Sequence, residues 1–189
     1  MSALSVQLRS RTSVEPAADA VIVRITDPGL FHVPLLVLSG TRGFNLPPAA
    51  DLARLRRFLT YGGLLLIDDG EARPGGAFDR SARALVQALL PALAPTAIKS
   101  NHVLYKSFYL IDGPAGRSLA APALEAVEQD GRLLVLLSPN DLGSALAGAD
   151  ERSLRLAVNV VLYALCLDYK EDQVHVPFIL RRRRWRTEP

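Results

Sequence analysis

The sequence predicts an α/β domain, a three-layer sandwich around a mostly parallel sheet. Three apolar runs carry the first half of that reading. They occupy 35–38 before Ser39-Gly40, 64–67 before Asp68-Asp69-Gly70, and 133–137 before Ser138-Pro139-Asn140. None of them alternates, so both faces of each strand should be covered, as in parallel strands between two layers of helix. Between the runs lie stretches with a helical period. Strand alternating with helix argues for parallel pairing through right-handed crossovers.

Taken along the chain, the run 21–25 is apolar and short, with the length of a strand. Leu is a weaker strand former than Val, but the four residues of 35–38 are too few for a helix. Pro48 then suits a first helical turn. Leu52, Leu55, Phe58 and Leu59 form one apolar stripe, with Arg54, Arg56 and Arg57 on the solvent side. Gly62-Gly63 stops that helix with a left-handed cap. After the run 64–67, Asp79 is placed as N-cap of a second helix, whose inward face is Ala82, Leu85, Val86 and Leu89. The segment 102–111, rich in aromatic and β-branched residues, reads as a strand or strand-like loop. The third helix is the clearest, with Leu154, Val158, Val161, Leu162 and Leu165 on one stripe. Val174, Val176 and Phe178 then alternate with polar positions, which predicts an extended segment laid over the body or over a partner.

Composition bounds the function. The chain has 189 residues, 49% hydrophobic, with a net charge of +3, which excludes disorder of the whole and predicts one domain over 1–180. No apolar run approaches the ~18–20 residues of a membrane span. The first ten residues lack the continuous apolar segment of a secretory signal, so the chain is read as cytoplasmic. The last nine residues hold five arginines and one acid, a +4 tail over 181–189; subtracting it from +3 leaves −1 for the rest. The lone cysteine, Cys166, excludes an internal disulfide and a cysteine-built zinc site.

The ordered set of motifs resembles a bacterial family known as domain of unknown function 4159. The residues that carry the resemblance include Arg11-Thr-Ser-Val-Glu-Pro16, Phe58-Leu-Thr-Tyr-Gly-Gly-Leu-Leu-Leu-Ile-Asp68 and Phe78-Asp79-Arg80. They continue through 102–109, Asn140-Asp141-Leu142-Gly143 and Val158-Asn159, so the likeness runs from about residue 8 to about 185. It implies a fold similar to the class I glutamine-amidotransferase-like (flavodoxin-like) group and no established activity. It also implies neighbours such as MoxR-type ATPases and von Willebrand A-type proteins. This sequence departs from the pattern in lacking the first strand and helix and in a shortened loop between Gly143 and Leu154. An open sheet edge would follow, and open edges invite another chain.

Ligands of such sheets bind beyond the carboxyl ends of the strands. Three loops qualify. Asp68 and Asp69, with Glu71 close by, could hold Mg²⁺ or Ca²⁺ or supply a proton-transfer base; capping of the Gly70 bend is the structural alternative. Asn140 and Asp141 could clamp a ligand or cap a helix. Thr41 and Arg42 could bind an anion, although no P-loop lysine follows. His102, Tyr105 and Lys106 place a base, a phenol and a cation within five residues. An amidotransferase needs a cysteine on a strand-to-helix elbow, whereas Cys166 falls inside the third helical pattern, where a buried or half-buried structural thiol is expected. No zinc spacing links His32, His102 and His175.

The function expected from these residues is a non-catalytic binding or protein-interaction module without the amidotransferase nucleophile, with no resident cofactor and with a protein partner or a second copy. A carboxylate-dependent hydrolase built on Asp68 and Asp69, with or without a metal ion, is the alternative. A third reading is nucleic-acid binding by the tail, which the near-neutral remainder of the chain disfavours.

Overall fold

The computed structural model describes residues 3–17 and 20–166; the extended segment expected over 173–178 and the basic tail over 181–189 lie outside the described residues. The three apolar runs become β1 (Leu35–Gly40), β2 (Leu64–Asp69) and β5 (Arg132–Ser138), joined in one sheet by β3 (Thr96–Ala97) and β4 (Glu125–Gln129). The strand order is β1-β2-β5-β4-β3. β1 pairs with β2, and β2 with β5, in parallel; β4 pairs antiparallel with both β5 and β3. The protein is therefore a mixed α/β domain, and its sheet is mixed where a mostly parallel one was expected. The difference lies in β3 and β4, which are interrupted by polar residues or too short to form an apolar run. Asp130 and Gly131, both at positive φ (53° and 75°), make the two-residue turn between β4 and β5. Asp-Gly is the standard sequence for such a hairpin.

Among the described residues five helices surround the sheet: α1 (Ala3–Arg11), α2 (Ala49–Thr60), α3 (Ala77–Leu89), α4 (Leu142–Ala147) and α5 over 151–166. α2 and α3 bury Leu55, Phe58, Leu59, Phe78, Leu85 and Val86 against Leu65, Ile67, Val135 and Leu137 of the sheet. A second cluster joins Leu64, Leu66 and Leu136 to Leu142, Leu156, Val160 and Tyr163 of α4 and α5. β2 is buried at every position, as a non-alternating run requires. Truncating one of its leucines to alanine costs about 2–5 kcal/mol.

Several local expectations need correction. Residues 21–25 form no strand: Val21 and Ile22 are exposed, Val23 and Ile25 pack toward α2, and Arg54 holds the Ile25 carbonyl at 2.8 Å. β1 is an edge strand: Leu36 and Leu38 pack on one face and Leu35 on the other, but Val37 stays 54% exposed. Residues 102–111 contain a 3-10 turn, Val103–Lys106, rather than a strand, because the His102 ring accepts the Leu104 N–H at 3.1 Å and starts the turn. Asp79 sits one turn inside α3, where Gly76 is the N-cap, and its carboxylate instead accepts the Gly75 N–H at 2.8 Å. α1 has no sequence signal because Leu4, Val6 and Leu8 recur every second residue; Arg11 ties it to Glu151 at 2.7 Å. α5 buries Leu154 and Val158, but its sheet contact is made by Leu156, Val160 and Tyr163, while Val161, Leu162 and Leu165 are half-buried. Gly62, at φ 106°, ends α2 as expected.

Candidate functional site

The carboxyl ends of β1, β2 and β5 meet in register, with Ser39 beside Asp68 and Asp68 beside Ser138. The loops around Thr41 and Arg42, around Asp68 to Glu71, and around Ser138 to Asp141 therefore share one end of the sheet. The helix after β2 packs on one face and the helices after β5 on the other, so the β2/β5 boundary is the place where α/β sheets open a crevice.

Asp68 is 2% exposed and closes that crevice from inside. Its Oδ1 accepts the Leu142 N–H at 2.9 Å and its Oδ2 the Gly143 N–H at 2.8 Å, while the Ser39 hydroxyl stands at 3.4 Å. The carboxylate of one strand thus caps the helix that follows another. Asp69 points into its own loop and accepts the Glu71 and Arg73 N–H groups at 3.0 and 3.1 Å. Burial pushes the Asp69 carboxyl above its ordinary range; the two N–H groups oppose the rise, and the charges of Asp79 and Glu71 reinforce it.

Asn140, fully buried, pairs its side-chain amide with the Ala121 backbone in both directions, at 2.9 and 3.1 Å. Asp141 adopts the left-handed conformation at φ 53° and caps α4 through Ser144 N–H at 3.2 Å. Asp tolerates that conformation when its side chain bonds locally. Burial would raise the Asp141 carboxyl, yet the ion pair with Arg117 and the Ser144 donors outweigh it and hold it below the usual value. Thr41 and Arg42 are exposed, and Gly70 N–H on Gly40 O at 2.9 Å brings their loop beside β2.

His102, Tyr105 and Lys106 do not join this group. The His102 ring lies 6.3 Å from Tyr163, whose hydroxyl accepts the Leu133 N–H near the amino end of β5, whereas Asp68 pairs with Ser138 at the carboxyl end. Tyr105 is buried and Lys106 exposed. Cys166, expected to be at least half-buried, is exposed; it is the last described residue of α5, three residues beyond Tyr163 and away from the strand-end crevice.

Three further features stand out, the first two of them bordered by Asp69 and Asp68 of the expected site. A cleft of about 110 Å³ lies between α3 and the strand ends, lined by Asp69, Asp79, Arg83 and Glu125 over an apolar floor. Arg83 Nε bonds Asp79 at 3.1 Å, and its Nη2 stands 2.7 Å from Glu125 as an ion pair without hydrogen-bond alignment. On the opposite face, a groove of about 100 Å³ runs along Leu4, Leu35, Val37, Leu146 and Val161 and reaches Ser39, Asp68 and Gly143 at the strand ends, its open surface almost wholly apolar. Third, at the end of α2, Arg57 stacks 5.8 Å from the rings of both Phe31 and Tyr61. Arg57 carried a helical-pattern signal only as a solvent-side residue; the stacking partner Phe31 is distant in sequence and gave none. Among the described residues no three His, Cys, Asp or Glu side chains are grouped to hold a metal ion, and no helix is long and apolar enough to cross a membrane.

Comparison with known families gives one result that covers most of the molecule. The family model described as Domain of unknown function (DUF4159) matches residues 1–165, and the chain belongs to that family. A comparison with curated proteins gives no match.

Proposed function

We propose that this member of the family is a non-catalytic binding module that works by protein–protein contact, an amidotransferase-like domain without its nucleophile. The observation that carries the reading is the open apolar groove beside β1, where Val37 is 54% exposed on an edge strand. Strand edges with no charge, proline or bulge of their own are what proteins ordinarily cover, and the six residues of β1 carry none. The acids that chemistry would need are engaged as caps: Asp68 on α4, Asp69 on its loop and Asp141 on Arg117. The helices packed against the two sheet faces support a three-layer arrangement similar to the class I amidotransferase group. A second copy of the chain or a protein partner, with MoxR-type ATPases and von Willebrand A-type proteins as candidates from family context, would occupy the groove.

Native mass spectrometry of the full chain tests this. The module reading expects the bare chain mass or whole multiples of it, alone or with added protein. A small molecule or metal retained in the native state and lost on denaturation would overturn it. One observation favours the carboxylate hydrolase as a second reading: Asp69, with its raised carboxyl, borders the 110 Å³ cleft. Under that reading Asp69→Asn abolishes an activity or a bound ligand without loss of fold.

A further inference from the structure

We infer that Arg57, Phe31 and Tyr61 form an anion-reading contact surface whose partner is an acidic protein segment. This surface is separate from the apolar groove and goes beyond the reading given for it. Three facts converge. The Arg57 guanidinium is held 5.8 Å from two ring centres at once, and the rings themselves stand 6.1 Å apart, tilted by 55°. Arg54 also lies 5.5 Å from the Phe31 ring centre, but it spends its Nε and Nη2 on the carbonyls of Ile25 and Asp27. Arg57 makes no ion pair or side-chain hydrogen bond among the described residues. Its donors are therefore unspent while two rings flank its head group.

A last-turn arginine complements the dipole of α2, which accounts for a positive charge at this place. The dipole does not require two aromatic rings beside the guanidinium. Rings within cation–π range favour the rotamers that keep it there, which lessens the freedom an arginine loses when it grips a carboxylate in a bidentate pair. Tyr61 is 65% exposed, and exposed tyrosine beside arginine is the composition of an interface hot spot. Beside them a cleft of about 100 Å³ with a polar lining, bordered by His32, Pro34 and Gly63, leaves room for a side chain. An acidic peptide fits better than a nucleic acid. A duplex or single strand needs a basic stripe to follow the backbone, and the chain without its last nine residues carries −1.

The test is a site-resolved titration of the full chain, followed by ¹⁵N NMR at low salt, with the acetylated and amidated tripeptide of glutamate. Reading the Arg57 Nε–H together with the Phe31, Tyr61 and Gly62 amides separates this surface from peptide bound to the basic tail. Saturable shifts at those four groups are expected. Arg57→Lys, which keeps the charge and loses the fork, and Tyr61→Ala should each weaken the binding read at the three backbone amides roughly tenfold. Arg152→Ala, an exposed arginine on α5, should leave that binding unchanged. The inference falls if no saturable shift appears at the four groups, or if Arg152→Ala costs as much as Arg57→Lys. It also falls if a deoxythymidine oligomer moves the same resonances at lower concentration than the acidic tripeptide. A melting curve shows that each variant is folded.

Discussion

Replacing Asp68 with alanine removes the acceptor that joins β2 to α4. The side chain is 2% exposed and takes N–H donors from Leu142 at 2.9 Å and Gly143 at 2.8 Å. Hydrogen bonds to a charged group contribute about 1.5–3 kcal/mol each when a buried partner is left behind. Leu142 is buried and its N–H would have no substitute, whereas Gly143 is exposed and water can serve it. The full figure applies once and a fraction of it the second time, so Asp68→Ala should cost about 2–4 kcal/mol. For a domain of this size that is a fall in Tm of roughly 5–15 °C. Asp68→Asn should lose nearly as much, since its amide NH₂ must face one of the two N–H donors. Thermal and urea unfolding at pH 7 would read the loss, with the exposed Glu128→Ala as control within about 0.5 kcal/mol. A loss under 1 kcal/mol for Asp68→Ala would refute the capping argument. So would a variant that keeps its stability and loses a bound ligand.

Asp69→Asn should behave differently. With its folded pKa raised, Asp69 contributes stability present below the ordinary carboxyl value near 3.8 and lost as pH rises through the folded value. Urea unfolding across acid pH should therefore show wild type losing ground to Asp69→Asn as pH increases; a gap that widens toward acid in favour of Asn would contradict this. Glu151 is held down to about 2 by the Arg11 hydrogen bonds and then by Arg155. Its contribution is present above about 4.5 and lost as pH falls through about 2, so Glu151→Gln should flatten the acid limb of the stability curve modestly, as for any exposed pair. Gly116→Ala should lower Tm strongly, because a Cβ there would stand 2.0 Å from the Asn140 carbonyl oxygen; an unchanged Tm would show that this backbone contact gives way easily.

The centre of the fold was legible for a simple reason. Leu64 to Ile67 and Leu133 to Leu137 are apolar at every position, and only burial on both faces accommodates that. β1 has the same pattern but lies at the edge, and edge position is decided by strand order, which composition does not encode. β4 was hidden by Glu125 and Glu128 although Asp130-Gly131 marked its turn. α1 was hidden because its contacts, such as Arg11 with Glu151, span 140 residues. At the candidate site the acids were visible, and capping was weighed for Asp68 and Asp69. What could not be read was the donor: α4 lies 74 residues downstream of Asp68. The same distance problem concealed the Phe31–Arg57–Tyr61 stack.

That long-range cap also bears on where this molecule can work. In an α/β sheet the first turn of the helix beyond a strand end offers free N–H groups to a ligand anion. Here the two N–H groups at the start of α4 are already taken by a carboxylate from the neighbouring strand. Asp68 stands where an anionic substrate would otherwise stand, and it is held there by the parallel register of β2 with β5. An anionic ligand would have to displace a buried charge with two hydrogen bonds before gaining either of them. Under the proposed reading, the surfaces left for recognition are the apolar groove that runs from β1 to the Asp68 side of the strand ends and the guanidinium beside two rings at the end of α2. If Asp68→Gly gained binding of inorganic phosphate near Leu142 and Gly143 while wild type showed none, the crevice would be closed by this one side chain. If neither bound phosphate, the turn would be unsuited to an anion for a further reason and Asp68 would be a cap alone.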